Sequence, residues 1–144
     1  MSRVVHRTLC RIFAVVLALA GIGALVGGNF AHGYVTDQLS QERITMPEGK
    51  ALATQQMRDS MGKWAGQQLT TGPQAQAYAN DYILAHMNEA SGNRSYSEVS
   101  GAYMGCSKDP ATKDTAECTQ LGQVRQTLFM GDALRGMLLT AYAW

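Results

Sequence analysis

From Ile12 to Thr36 the chain carries no Asp, Glu, Lys or Arg, a gap of 25 residues in a sequence of 144. A helix of that length reaches about 37 Å at ~1.5 Å per residue, more than the ~30 Å hydrocarbon core of a bilayer. Other scarcities each close off a class of function. There is no basic surplus: with Arg3, Arg7 and Arg11 set aside, nine basic residues face eleven acidic ones. Nucleic acid, which needs a cationic face, is therefore excluded as a partner. The three histidines, His6, His32 and His86, are too few and too scattered to share one metal. No run alternates apolar and polar residues long enough to argue for a strand. The chain has no G-x-S-x-G elbow for a serine nucleophile. Gly101-Ala102-Tyr103-Met104-Gly105 lacks the lysine and the preceding strand of a phosphate loop.

Three arginines precede the charge-free run, and the first carboxylate, Asp37, follows it. A signal peptide has an apolar core of about 7–15 residues ended by small residues of the A-x-A kind. Here Ile12–Val26 already fills that length, and the pair Ala18 and Ala20 lies inside the apolar run. The segment 12–36 is therefore expected to be a retained transmembrane anchor. The arginines place the stub 1–11 in the cytoplasm and the rest of the chain outside the cell membrane. His32 and Tyr34 then fall at the outer interface, where amphipathic rings are favoured. Gly23 and Gly27 form a G-x-x-x-G that lets two helices approach closely, although glycine is common in membrane helices in any case.

About 110 residues remain, enough for one modest core. They are expected to form an all-α extracytoplasmic domain over 37–128, ending in an apolar helix over 129–144. Pro47, Pro73 and Pro110 each sit where a helix would begin. Thr71-Gly72-Pro73 offers a cap followed by proline in the first turn. Ala75, Tyr78, Ala79, Tyr82 and His86 then recur at helical spacing, up to a stop at Ser91-Gly92. Ser95-Tyr96-Ser97-Glu98 has capping-box spacing and announces a short helix through Val99 and Tyr103. Met57, Met61, Trp64 and Ala65 fit a helix between Pro47 and Gly72. Cys106 and Cys118 lie 12 positions apart in an oxidising compartment, where a disulfide is expected, worth about 3 kcal/mol by loop closure. Cys10, at the cytoplasmic boundary, cannot join them and is a free thiol or a lipidation site.

The last helix changes character along its length. From Thr115 to Thr127 it is amphipathic, with Leu121, Val124 and Leu128 on one face. Beyond Phe129 the apolar residues surround the axis, the pattern of a helix that is buried or nearing a membrane. Asp132 and Arg135, at i and i+3, can pair. The end Tyr142-Ala143-Trp144 has the composition of an interfacial belt. Either this helix packs in the outer core, or it starts a second crossing.

Candidate chemistry is sparse. His86 beside Tyr82 is the best catalytic-looking pair, but a half-buried histidine bonded within an aromatic stripe explains it more simply. Tyr78, Tyr82 and His86 remain a possible ligand or partner face. Met57, Met61, Met104, Met130 and Met137 could line a copper or hydrophobic site, yet such methionines are more often core filler. Asn93-Arg94-Ser95 matches a glycosylation acceptor, a pattern common by chance. No catalytic residue, metal ligand or cofactor site is assigned.

Gly33-Tyr34-Val35-Thr36-Asp37-Gln38-Leu39, Ala65-Gly66-Gln67-Gln68, Ala77-Tyr78-Ala79-Asn80 and the long block Gln126-Thr127-Leu128-Phe129-Met130-Gly131-Asp132-Ala133-Leu134-Arg135-Gly136-Met137-Leu138-Leu139 together resemble an uncharacterised family of actinobacterial membrane proteins. The resemblance covers the chain from about residue 30 onward. It implies a second membrane helix after the long block, and hence a truncated or atypically short chain. Some members bear the label of a ring-opening aromatic dioxygenase. Such an enzyme needs two histidines and a carboxylate around iron, and this chain cannot converge that set. The expectation is a non-enzymatic, membrane-anchored accessory or interaction protein whose partners are the lipid bilayer and other membrane proteins, with an actinobacterial respiratory complex as one setting. The alternatives are a binding module for an apolar envelope ligand and, less well supported, an enzyme.

Overall fold

The structure, a computed structural model, describes residues 2–144. Its first element, α1 (Ser2–Gln41), is one unbroken helix of 40 residues. Side chains from Arg3 to Phe30 are exposed, Ala31 and Val35 are half-buried, and Leu39 is buried. This four-residue spacing is one helical face, so only the last turns of α1 enter the folded domain. Among the described residues α1 is the one helix long and apolar enough to cross a membrane, and none of its most apolar stretch is buried. The helix runs past the expected end of the anchor at 36 because Leu39 has a core to enter.

The rest is all-α, as the missing alternation implied. A 3₁₀ turn (Gly49–Ala51) leads to α2 (Gln55–Met61), capped by Thr54 Oγ1, which accepts from the Met57 amide at 3.1 Å. After a second 3₁₀ turn (Gly62–Trp64) come α3 (Gly72–Ala77), a π-helical turn (Tyr78–Ile83) and α4 (Leu84–Ser91), stacked end to end as one rod. An antiparallel hairpin of α5 (Tyr96–Lys108) and α6 (Ala116–Ala143) completes the fold. Its turn is tied by the Cys106–Cys118 disulfide, with Cα atoms 5.8 Å apart. The nearest approach to a sheet is a single bridge, Thr45 to Gln68, flanked by the Met46 amide on the Gln67 carbonyl at 2.8 Å.

Both expected capping signals operate. Ser95 and Glu98 form a reciprocal capping box, and Thr71 forms another with Gln74. The Gln74 side chain is buried and accepts from the Thr70 and Thr71 amides at 2.9 and 3.0 Å. Gly92 ends α4 in the left-handed conformation at φ 64°. Proline is less consistent than expected. Pro73 does open α3, whereas Pro47 lies in extended chain and Pro110 lies in a turn. In that turn Asp109 Oδ1 accepts from the Ala111 amide at 2.9 Å, a local bond that satisfies the side chain without starting a helix. The segment carrying Met57 and Met61 is α-helical only to Met61; Trp64 closes the tighter 3₁₀ turn and Ala65 lies beyond it.

Burial falls into two clusters. Leu39, Met46, Leu52, Met57, Met61, Leu69, Ala75, Ala79 and Leu138 form one, joining α1, α2, α3 and the end of α6. Met87, Val99 and Leu128 form the other, between α4, α5 and the first half of α6. Of the five singled-out methionines, Met57 and Met61 are core filler, while Met104, Met130 and Met137 are exposed.

The π turn corrects one expectation. A regular helix carries the stripe Ala75, Tyr78, Ala79, Tyr82 on to His86, but a π turn uses an extra residue and slips the register by about one position. Met87 takes the buried place, and His86 is exposed. His86 Nδ1 lies 2.8 Å from the Tyr82 carbonyl. The turn is clamped from outside. The Ala79 carbonyl receives the Leu84 amide five residues on and also Nε of Arg135 at 3.0 Å. Arg135 further reaches Asn80 Oδ1 at 3.3 Å and makes its expected pair with Asp132 at 3.7 Å.

Close approach of α6 to α4 depends on Gly131, where a Cβ would fall on the thioether of Met87. Gly131→Ala should therefore destabilise the fold by about 1–3 kcal/mol through overpacking. Arg135→Met should cost about 1.5–3 kcal/mol by removing charged hydrogen bonds while keeping the alkyl stem. Denaturant unfolding of each variant checks both values; a change below half a kilocalorie in either would contradict the packing described.

Candidate functional site

Two helices of unequal burial leave a gap where they part. Leu39 of α1 and Leu138 of α6 both belong to the first core cluster. Both also line a groove of about 940 Å³ bordered by exposed apolar faces of the two helices. One wall is α1, with Gly27, Phe30, Tyr34 and Val35; the other is the end of α6, with Leu134, Met137, Ala141 and Trp144. Ile44, Tyr78 and Ile83 close the floor. Gln38, Glu42 and Thr140 are the polar residues of the lining. Phe30, Met137 and Trp144 remain 74%, 70% and 70% exposed, so the groove is open along its side rather than a sealed void.

Polarity runs one way along α1. Gly27, Phe30, Ala31, Tyr34 and Val35 belong to the charge-free run, and Gln38 and Glu42 lie beyond it. The volume is within the range of about 300–1,000 Å³ usual for small-molecule pockets. The groove offers one carboxylate, one amide, a threonine hydroxyl and two phenols. It can bind and orient an elongated apolar molecule; it presents no activated nucleophile.

Of the singled-out face, Tyr78 lines the groove and the other two residues stand behind it. The Tyr82 ring packs against Tyr78 at a tilt with centroids 5.0 Å apart, and the His86 ring packs tilted against Tyr82 at 4.3 Å. Burial raises the phenol pKa of Tyr78 above its ordinary value, and the neighbouring Tyr82 adds to the shift. Gly27 lies at the apolar end of the groove, while Gly23 is one turn further along α1, and both have open space around them. His6 and His32 are on α1 and His86 on α4. Among the described residues no three His, Cys, Asp or Glu side chains gather to hold a metal ion. Asp81 is engaged by Gln56 Nε2 at 2.9 Å.

The groove as such escaped the sequence reading. Its walls lie about 100 positions apart in the chain, and the available signal was the all-round apolar character of α6 after Phe129. The chain matches no family, no curated protein and no solved structure.

A raised phenol pKa favours the neutral form in the folded state. The contribution of Tyr78 to stability is thus complete below about pH 10 and is lost as pH rises through its higher folded value. Ultraviolet titration of the folded chain should show one of its six tyrosines ionising after the others. Tyr78→Phe should remove that last component and flatten the alkaline loss of stability; its survival in the variant would assign it elsewhere.

Proposed function

We propose that this chain is a non-enzymatic, membrane-anchored accessory protein. α1 crosses the bilayer with its amino terminus in the cytoplasm, and the helical domain stands on the outer face, docking on a larger membrane or envelope assembly. The observation that carries this reading is the contrast within α1: its most apolar stretch is wholly unburied, while its last turns are built into the domain core. A soluble protein would leave that surface in water, far beyond the few hundred Å² that monomers usually expose. Arg3, Arg7 and Arg11 at one end and Asp37 at the other support the orientation. The disulfide supports an oxidising compartment for the domain.

The partner surface on this reading is the outer side of α6. Phe129 and Met130 are 58% and 49% exposed there, and neither lines the groove. The likeness of the segment 126–139 to actinobacterial membrane proteins fits an accessory role in an assembly such as a respiratory complex. A second reading, a binding module for an apolar envelope ligand, is favoured by the groove.

Cys10 is exposed and unpaired, which makes it a topology reporter. A membrane-impermeant maleimide should leave it unlabelled in intact cells and label it after permeabilisation, while a cysteine placed at exposed Ala90 reacts in both. Labelling of Cys10 in intact cells would reverse the orientation. A photo-crosslinking residue at Phe129 should yield a discrete adduct with another membrane protein. Recovery of self-adducts alone would remove the accessory role and leave the anchor untouched.

A further inference from the structure

We propose that the groove between α1 and α6 is a site for one phospholipid whose headgroup carries an ammonium group, held by the carboxylate of Glu42. The inference rests on the membrane placement of α1 and needs no protein partner.

Length is the first argument. The α1 wall runs from Gly27 to Leu39, about 18 Å at ~1.5 Å per residue, and Glu42 follows in the turn just past the helix end. One leaflet, half of a bilayer of about 40–45 Å including its headgroups, spans about 20–22 Å. Placement is the second. The groove begins inside the charge-free run and ends past its boundary at Thr36. A lipid of the outer leaflet changes from chain to headgroup over the same interval, and the open side of the groove admits it laterally.

Charge is the third and decides the class. An acyl chain leaving the bilayer for an apolar wall gains little, because lipid tails are already as apolar as leucine. Selection must come from the polar end, where Gln38 and Glu42 lie past the apolar stretch of the wall. Glu42 is the one carboxylate side chain of the lining, and it forms no salt bridge among the described residues. A carboxylate there attracts an ammonium and repels a headgroup of net negative charge.

The test uses the full chain in nanodiscs of equimolar phosphatidylethanolamine and phosphatidylglycerol, released into native mass spectrometry. The wild type should retain one lipid, with phosphatidylethanolamine favoured about tenfold, as expected for one charge-assisted hydrogen bond. Glu42→Gln should lower that preference toward unity without loss of the retained lipid. Met137→Trp, at a site already 70% exposed, should fill the groove and abolish retention while leaving the helical circular dichroism intact. Retention of both lipids equally by the wild type, no retained lipid, or an undiminished preference in Glu42→Gln would each overturn the proposal. A chain that fails to incorporate into nanodiscs at all would overturn the membrane placement beneath it.

Discussion

One helix serves both halves of the helical domain, and the fold depends on holding it in register. Leu128 sits in one apolar cluster and Leu138 in the other. These positions are ten residues apart, so α6 must lie along the whole length of the α3–α4 rod. Hydrophobic packing alone resists sliding poorly, because neighbouring apolar side chains are interchangeable in kind. Two features between the clusters remove that freedom. Gly131 lets the backbone of α6 come against Met87, a fit that exists at one register. Arg135, one turn further on, delivers its guanidinium to the Ala79 carbonyl and Asn80. A charged donor moved by one residue would lose both acceptors and stand half-buried without them, at a cost larger than most single packing changes.

From that register follows the position of the last turns of α6, and from there the treatment of α1. Leu138 shares the first apolar cluster with Leu39, where α1 joins the domain. The N-terminus of α3 is drawn in as well, since a Cβ at Gly72 would stand 3.1 Å from the Tyr142 backbone. The long apolar helix α1 thus enters the core through Leu39 and Val35 at one end and is unburied over its most apolar stretch. Cleavage after residue 36 would still leave Leu39, but it would remove Ala31 and Val35, the half-buried turns that continue its face. Loss of those turns would expose part of the core that they help to close.

Local signals were legible where the physics is local. The capping box at Ser95–Glu98, the Thr71 cap before Pro73, the glycine stop at Gly92 and the close cysteine pair all act within a few residues or one short loop, and spacing alone exposes them. Glu98 is the clearest case: hydrogen bonds from the Ser95 amide and hydroxyl lower its pKa, the electrostatic mark of a working cap. Illegible features were those decided by distant residues. The π turn has no signature between Tyr78 and Ile83, because its outside partner is Arg135, more than 50 positions away. His86 was read one face away from its true place for the same reason. Asp109-Pro110 misled differently, since Asp before Pro serves a turn as readily as a helix start. The groove required knowing which faces of α1 and α6 meet, which composition does not specify.

These strands converge on the π turn. Its first and last residues, Tyr78 and Ile83, both form part of the groove floor. In a regular α-helix positions five apart do not share a face, being about 140° out of phase at ~3.6 residues per turn. In a π turn, which bonds each carbonyl to the amide five residues on and so winds more widely, they lie much nearer to one face. The irregularity therefore presents two large apolar side chains side by side toward α1 and α6, where a regular helix would present one. Because the Ala79 carbonyl at the centre of that turn is held by Arg135, the same contact that sets the register of α6 also shapes the floor between α6 and α1. Residues lining the groove are consequently coupled to a guanidinium outside it, and the width of the groove is a property of the packed fold rather than of its walls alone.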